Sequence, residues 1–139
     1  MRITLESDYA LRIITTMAMH EDVQDAGSIA EETSVTPRFT LKILHKLVKG
    51  RLVISYKGAH GGYKLATAPE SITLKSVIEL IEGPIAIARC VDSSGACSLN
   101  HDKTACIYHH IFDNISMEIA EKLERITIKD VIDKTKLRR

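Results

Sequence analysis

At 139 residues the chain is long enough for one domain with an appended element, and it can bury a core without disulfide staples. Hydrophobic residues make up 45% of it, yet no apolar run approaches a membrane span. Met1-Arg2-Ile3-Thr4-Leu5 is too short and too mixed for a secretory signal, so a cytoplasmic protein is expected, with its thiols kept reduced. The net charge of +1 conceals an asymmetry. Residues 36–64 carry seven basic side chains (Arg38, Lys42, Lys46, Lys49, Arg51, Lys57, Lys64) and no acidic one, while the rest carries 12 basic and 18 acidic residues. Such a block points to a polyanionic partner.

In chain order, the first helix is expected over residues 8–21. Apolar residues recur at Ile13, Ile14, Met17 and Ala18, after Ser7 or Asp8 as cap. A polar loop follows to Gly27. Ser28-Ile-Ala-Glu31 reads as a capping box opening a short second helix that ends near Ser34. Thr36-Pro37 opens a third, with Thr at the cap and Pro at the first helical position. This helix is expected to turn Phe39, Ile43, Leu44, Leu47 and Val48 inward, to hold Arg38, Lys42, Lys46 and Lys49 outward, and to stop at Gly50. Two short helices joined tightly, the second basic on its outer face, describe a helix-turn-helix.

Next come a strand over 52–56, a glycine-rich turn over 57–62 and a returning strand over 63–66. A hairpin placed there is a wing, and its glycines permit close backbone approach to phosphates. A helix over 73–82 turns Leu74, Val77, Ile78 and Ile81 inward and stops at Gly83-Pro84.

Residues 89–110 hold all three cysteines (Cys90, Cys97, Cys106) and three of the six histidines (His101, His109, His110), in turn composition. Thiolate sulfur favours zinc, copper(I) or iron–sulfur clusters. The tight C-x2-4-C knuckle of structural zinc is absent. The gaps are six and eight residues, followed by C-x2-H at Cys106 and His109, and long gaps suit a bulky cluster. Three Cys and one His form a plausible mixed set, since histidine replaces cysteine on iron. The odd cysteine count argues against a disulfide framework. Zinc and three incidental thiols are the competing readings.

The longest helix is expected from residue 104 or 106 to 125. Phe112, Ile115, Ile119, Leu123 and Ile126 repeat at steps of three and four, a coiled-coil-like seam that a small domain cannot cover, so it reads as a dimer interface. Thr127-Ile-Lys-Asp130 is a capping box opening a short last helix, and residues 134–139 read as a charged tail. No phosphate loop or nucleophile elbow occurs. Cys106 and His109 lack an orienting third group and an oxyanion hole, so no enzyme is expected.

These motifs together resemble the IscR/NsrR/CymR family of bacterial winged helix-turn-helix transcription regulators. The matching segments are S-D-Y-A-L-R (7–12), I-A-E-E-T-S-V-T-P-R-F-T-L-K-I-L (29–44), G-A-H-G-G-Y-K-L (58–65) and I-T-I-K-D-V (126–131). The three cysteines make the chain look like the cluster-binding, IscR-type branch. The resemblance implies a mainly α fold with a small β-hairpin wing. It divides the chain into a DNA-binding domain (1–83), a cysteine-rich cluster-binding loop (84–105), and a dimerisation helix with C-terminal tail (106–139).

The implied activity is regulation of transcription by a homodimer on palindromic double-stranded DNA, controlled by an iron–sulfur cluster that reports cluster supply, redox state or nitric oxide. Carried over, the ligands are Cys90, Cys97 and Cys106, with His109 matching the C-x2-H of members holding a [2Fe–2S] cluster. Asp8 matches the carboxylate that nitric-oxide-sensing members supply to a [4Fe–4S] cluster from the partner subunit. His109 and [2Fe–2S] are favoured because the imidazole already stands beside the third cysteine. The gaps are longer than the even spacing of His-ligated members, which leaves the cluster type open. Leu41 stands where some members carry a specificity-switching glutamate. The alternative is a zinc-structured or cluster-free regulator of cysteine or sulfur metabolism. Recognition-helix geometry makes Thr36, Arg38, Phe39, Thr40 and Lys42 the expected DNA contacts, with Arg38 reading guanine, and Lys57, His60 and Gly61 on the wing.

Overall fold

The computed structural model of the chain describes residues 2–92, 95, 97, 99 and 102–139. Its order is α1 (Leu5–Ala18), α2 (Ala26–Thr33), α3 (Pro37–Lys49), β1 (Val53–Tyr56), β2 (Gly62–Leu65), α4 (Leu74–Glu82), α5 (Ile107–Glu124) and α6 (Ile128–Leu137). The mainly helical architecture with one antiparallel hairpin agrees with the sequence expectation.

One core joins most of these elements. Ala10, Ile13, Ile14 and Met17 of α1 meet Ile29 of α2 and Ile43, Leu44 and Leu47 of α3. Val53, Ile72, Val77, Ile128 and Ile132 complete the same cluster. Each fully buried Ile or Leu contributes about 1.5–3 kcal/mol of transfer free energy. The apolar stripe of α1, at helical spacing, makes it the central helix, in contact with α2, α3, α4 and α6.

Several boundaries differ from expectation, for identifiable reasons. Helix α1 begins at Leu5, not 8, because Thr4 caps it: its hydroxyl accepts from the Ser7 N–H at 3.2 Å. Thr4 is itself fixed from far along the chain, since its N–H and hydroxyl both donate to Glu82 Oε1 at 2.8 Å. Helix α2 is capped by Asp25 rather than Ser28. The Ser28 N–H and hydroxyl donate to the two Asp25 oxygens at 3.0 and 2.7 Å, so Ser28 is the third helical residue instead of the cap. These two bonds from Ser28, the hydroxyl's the larger, hold the Asp25 carboxyl below its usual range.

Helix α3 opens on Thr36 and Pro37 as expected. Its buried stripe is Thr40, Ile43, Leu44 and Leu47, at i, i+3, i+4 and i+7; Phe39 is exposed at its edge rather than inward. The helix stops at Gly50, but the left-handed residue is Arg51 (φ 62°). A Cβ on Gly50 would overlap the Leu80 side chain, so the glycine serves the approach of α4 to the end of α3.

The wing pairs Val53 with Leu65 and Tyr56 with Gly62. Gln24, expected in a plain loop, bridges the other edge of β2. Its N–H donates to the Tyr63 carbonyl at 2.9 Å and its carbonyl accepts from the Tyr63 N–H at 2.8 Å. A Cβ on Gly62 would overlap the Gln24 carbonyl, and one on Gly61 would overlap the Tyr56 carbonyl. These two glycines are therefore required by the packing of the wing itself, before any DNA is considered.

Helices α4 and α6 both open on capping boxes, Thr73 with Ser76 and Thr127 with Asp130. The two caps lie back to back as an antiparallel bridge. The Leu74 N–H donates to the Ile126 carbonyl and the Ile128 N–H to the Ile72 carbonyl, both at 2.9 Å. Helix α6 runs on through Leu137, so most of the segment read as a charged tail is helical. Its Ile128 and Ile132 return the chain to the core beside α1.

Candidate nucleic-acid interface and metal centre

Helices α2 and α3 are joined by a three-residue turn. Ser34 takes the left-handed conformation (φ 55°), and Val35 is buried with its N–H donating to the Ala30 carbonyl at 3.1 Å. The turn fixes the exposed face of α3. Thr36, Arg38, Phe39, Leu41 and Lys42 lie on that face. Thr40 does not: it is fully buried, and its hydroxyl has no hydrogen-bond partner among the described residues. The expectation of a Thr40 contact to DNA is corrected by helical spacing, since Thr40 falls on the stripe of Ile43, Leu44 and Leu47. On the wing, Lys57 and His60 are exposed and Gly61 is half-buried.

The α3 face is braced from α1. Tyr9 meets Phe39 edge-on with ring centroids 5.8 Å apart, and the Arg12 guanidinium stands 5.3 Å from the Tyr9 ring centroid. Lys42 Nζ lies 5.7 Å from the Phe39 centroid. Glu6 pairs with Lys46 at 2.7 Å and with Lys42 at 3.5 Å. Sequence alone does not single out Glu6, because its partners lie two helices further along the chain and no local pattern marks them.

The second candidate site is the segment between α4 and α5. It leaves α4 at Gly83 (φ 89°), where the Ile85 N–H donates to Glu79 Oε1 at 3.3 Å and the Ile87 N–H donates to Ser116 Oγ at 3.0 Å. The Ser116 hydroxyl donates in turn to the Phe112 carbonyl at 2.7 Å. Ser116 is the buried residue of α5. The segment carrying Cys90 is thereby tied to the middle of the long helix.

Cys90, Cys97 and Cys106 are half-buried and free of disulfides. Cys106 occupies the cap position of α5, and its side chain makes no capping bond there. His109 follows in the first turn. It is half-buried, and its Nδ1 is closed off from solvent without a hydrogen-bond partner among the described residues. His110 is committed elsewhere, with Nε2 2.7 Å from the Thr104 carbonyl. His101 lies outside the described residues. Asp8, the other candidate ligand, is on α1 and pairs with Arg12 at 2.6 Å. Among the described residues no three His, Cys, Asp or Glu side chains are grouped closely enough to hold a metal ion. The donor types fit a soft metal centre, while their positions do not close around one.

Along α5, Ile107, Tyr108, Ile111, Ile115 and Met117 are exposed, Tyr108 by 67% and Met117 by 56%. Phe112, Ile119, Leu123 and Ile126 are half-buried. Among the described residues no helix is long and apolar enough to cross a membrane.

Comparison with known proteins gives one consistent answer. The sequence profile of the Rrf2 family, described as iron-dependent transcriptional regulators, matches residues 3–134. A chain of Aquifex aeolicus named for helix-turn-helix transcriptional regulation is 32% identical over 126 residues, covering 90% of this chain and 87% of that one. NsrR of Oceanobacillus iheyensis is 26% identical over 129 residues, covering 91% and 86%. The same fold occurs in CymR, the global cysteine regulator of B. subtilis, with a TM-score of 0.77 at 24% identity over 96% of this chain and 98% of that one. It occurs also in T. potens IscR, with a TM-score of 0.77 at 24% identity over 97% and 88%. The family and these relatives regulate transcription and are not enzymes. The chain belongs to the Rrf2 family of transcriptional regulators.

Proposed function

We propose that this regulator acts as a homodimer on palindromic double-stranded DNA in the cytoplasm, under the control of an iron–sulfur cluster held by Cys90, Cys97, Cys106 and His109. The observation that carries the ligand set is the His109 imidazole. A buried nitrogen without a partner costs about 1–3 kcal/mol, and a metal bond would relieve that cost. Three unlinked thiols lie between α4 and the start of its helix. A cluster bound there would supply a redox-active iron centre, and a histidine ligand favours [2Fe–2S] over [4Fe–4S]. The signal read is cluster supply, redox state or nitric oxide.

The chain's own residues carry the coupling. Ligation would draw Cys90 and Cys97 toward Cys106 and His109 at the start of α5. Ser116 and Glu79 hold the near side of that loop, and the paired caps of α4 and α6 hold the far end of α5. Closing the loop therefore sets the angle between α5 and the α1–α4 core. Palindromic DNA demands a set separation of two recognition helices, so that angle has leverage on affinity.

The test is anaerobic purification with quantitation of iron and sulfide. A coloured protein with stoichiometric iron and sulfide is expected. A colourless protein with one zinc, or with no metal, overturns the cluster and favours a zinc-structured or cluster-free regulator of cysteine or sulfur metabolism. That second reading draws support from the separation of the ligands in the structure and from the likeness to CymR.

At the DNA, Arg38 would read a base edge from the N-terminal end of α3. Thr36 and Phe39 flank it, and Lys57, His60 and Gly61 follow the backbone from the wing. Arg38→Ala is expected to cost about 1–3 kcal/mol on the specific site and far less on random DNA. Lys57→Ala is expected to weaken both alike and to flatten the salt dependence by about one unit of slope. Titrations of both duplexes by fluorescence anisotropy decide this: equal losses from Arg38→Ala on the two would remove its base-reading role.

A further inference from the structure

We infer that Glu6 sets the electrostatic strength of the DNA interface, by holding Lys42 and Lys46 of the recognition helix away from the phosphates. The inference rests on the DNA-binding reading above. Lys42 and Lys46 stand one helical turn apart on α3, a spacing that would let both follow a phosphate backbone. Glu6 in the first turn of α1 faces them. Its Oε1 is 2.7 Å from Lys46 Nζ and 3.5 Å from Lys42 Nζ, and that oxygen is closed off from solvent. The positive end of the α1 dipole favours a carboxylate at the same place.

The competition between Glu6 and DNA can be judged from burial. The Glu6 side chain is 22% exposed, so its pair with Lys46 is only partly screened by water and salt. A lysine leaving for a phosphate would gain an exposed, salt-screened interaction and would strand a solvent-excluded carboxylate oxygen. The close ion pair with Lys46 is the largest influence on the Glu6 carboxyl. Burial opposes it, and the charges of Lys46 and Lys42 add to it, leaving the carboxyl below its usual range. Glu6 therefore stays ionised wherever DNA binding is measured.

Of the seven basic residues in 36–64, Glu6 engages two, leaving Arg38 for a base edge and four for phosphates. Phosphate contacts strengthen binding to every sequence alike, whereas base contacts do not. Withholding two lysines on the reading helix lowers non-specific adhesion and leaves discrimination to Arg38. Glu6 is thus a specificity-determining residue that never touches DNA. It also revises the expectation for Lys42, which serves the protein's own packing before it serves the duplex.

The test uses the full chain, a palindromic duplex selected by that chain from a random pool, and an unrelated duplex. Binding is measured by fluorescence anisotropy from about 50 to 200 mM salt, the range over which phosphate neutralisation is read. For Glu6→Gln the slope of log affinity against log salt is expected to steepen by up to about two units, at about 0.9 for each phosphate newly neutralised. The tightening should appear on both duplexes, so the ratio of specific to non-specific affinity falls. In the unaltered chain, replacing Lys42 and Lys46 by Ala should leave the slope nearly unchanged; in the Glu6→Gln background the same replacements should remove the added slope. The lysine variants keep the question decidable should Glu6→Gln fold poorly. A slope that drops by about two when the lysines are removed from the unaltered chain overturns the inference, because they would already be on phosphates. So does an unchanged slope in a well-folded Glu6→Gln protein. Failure of the unaltered chain to bind any duplex would instead overturn the DNA-binding reading.

Discussion

Replacing Ile115 and Ile119 together by Glu is expected to turn the protein into a folded monomer. Ile115 is exposed and Ile119 half-buried, so neither supports the core formed by α1–α4 and α6. In a two-fold dimer each residue enters the interface twice. With Ile115 39% exposed and Ile119 half-buried in the protomer, each gives up only a fraction of the about 1.5–3 kcal/mol of full burial, so most of the loss comes from bringing four carboxylates into an apolar seam. A nanomolar dimer is held by about 12 kcal/mol, so dissociation should be complete at micromolar concentration. Sedimentation velocity reads the mass, and circular dichroism checks that helicity survives. Palindromic-site affinity should fall with the mass, because one recognition helix must then bind without its mate. A dimer that persists would place the interface on another surface.

The same helix shows how far the sequence can be read. Its apolar repeat is visible because seam residues recur locally, and the N-cap and Pro of α3 are visible because Thr36 and Pro37 are neighbours. The capping box of α6 is legible for the same reason. What stays hidden is decided by contacts between distant segments. Thr4 caps α1 four residues before the expected start, and its own position depends on Glu82. Gln24 extends the hairpin only because the chain brings it beside Tyr63. At α2 two local solutions compete, Asp25 with Ser28 and Ser28 with Glu31. The first wins, its carboxylate accepting two bonds from Ser28. For the sites, chemistry is legible and placement is not. Three cysteines and C-x2-H name the donors, but the sequence does not show that Lys42 and Lys46 meet Glu6, or that Thr40 turns inward.

His109→Ala is expected to destroy or alter the visible absorbance of anaerobically purified protein and to lower its iron and sulfide content severalfold. His109→Cys is expected to retain a stable chromophore with a shifted spectrum, since thiolate replaces imidazole on iron. Asp8→Ala should leave the spectrum nearly unchanged. The asymmetry follows from what each candidate already does. Asp8 lies 2.6 Å from Arg12 on its own helix, and ligation would require it to leave that half-exposed pair, at a cost of about 0.2–1 kcal/mol. His109 gives up no hydrogen bond among the described residues: its Nδ1 is buried and unpartnered there, three residues from Cys106 on the same turn. Its position also explains why the effect should reach DNA. His109 and Cys106 start α5, and the far end of that helix is locked to α4 through the back-to-back caps at Thr73 and Thr127. His109→Ala should therefore weaken cluster-dependent DNA affinity while leaving the metal-free protein's affinity unchanged, a difference that separates loss of a ligand from loss of fold. The reverse pattern, with Asp8→Ala bleaching the protein and His109→Ala harmless, would reassign the fourth ligand to a carboxylate and favour a [4Fe–4S] centre shared between the two subunits.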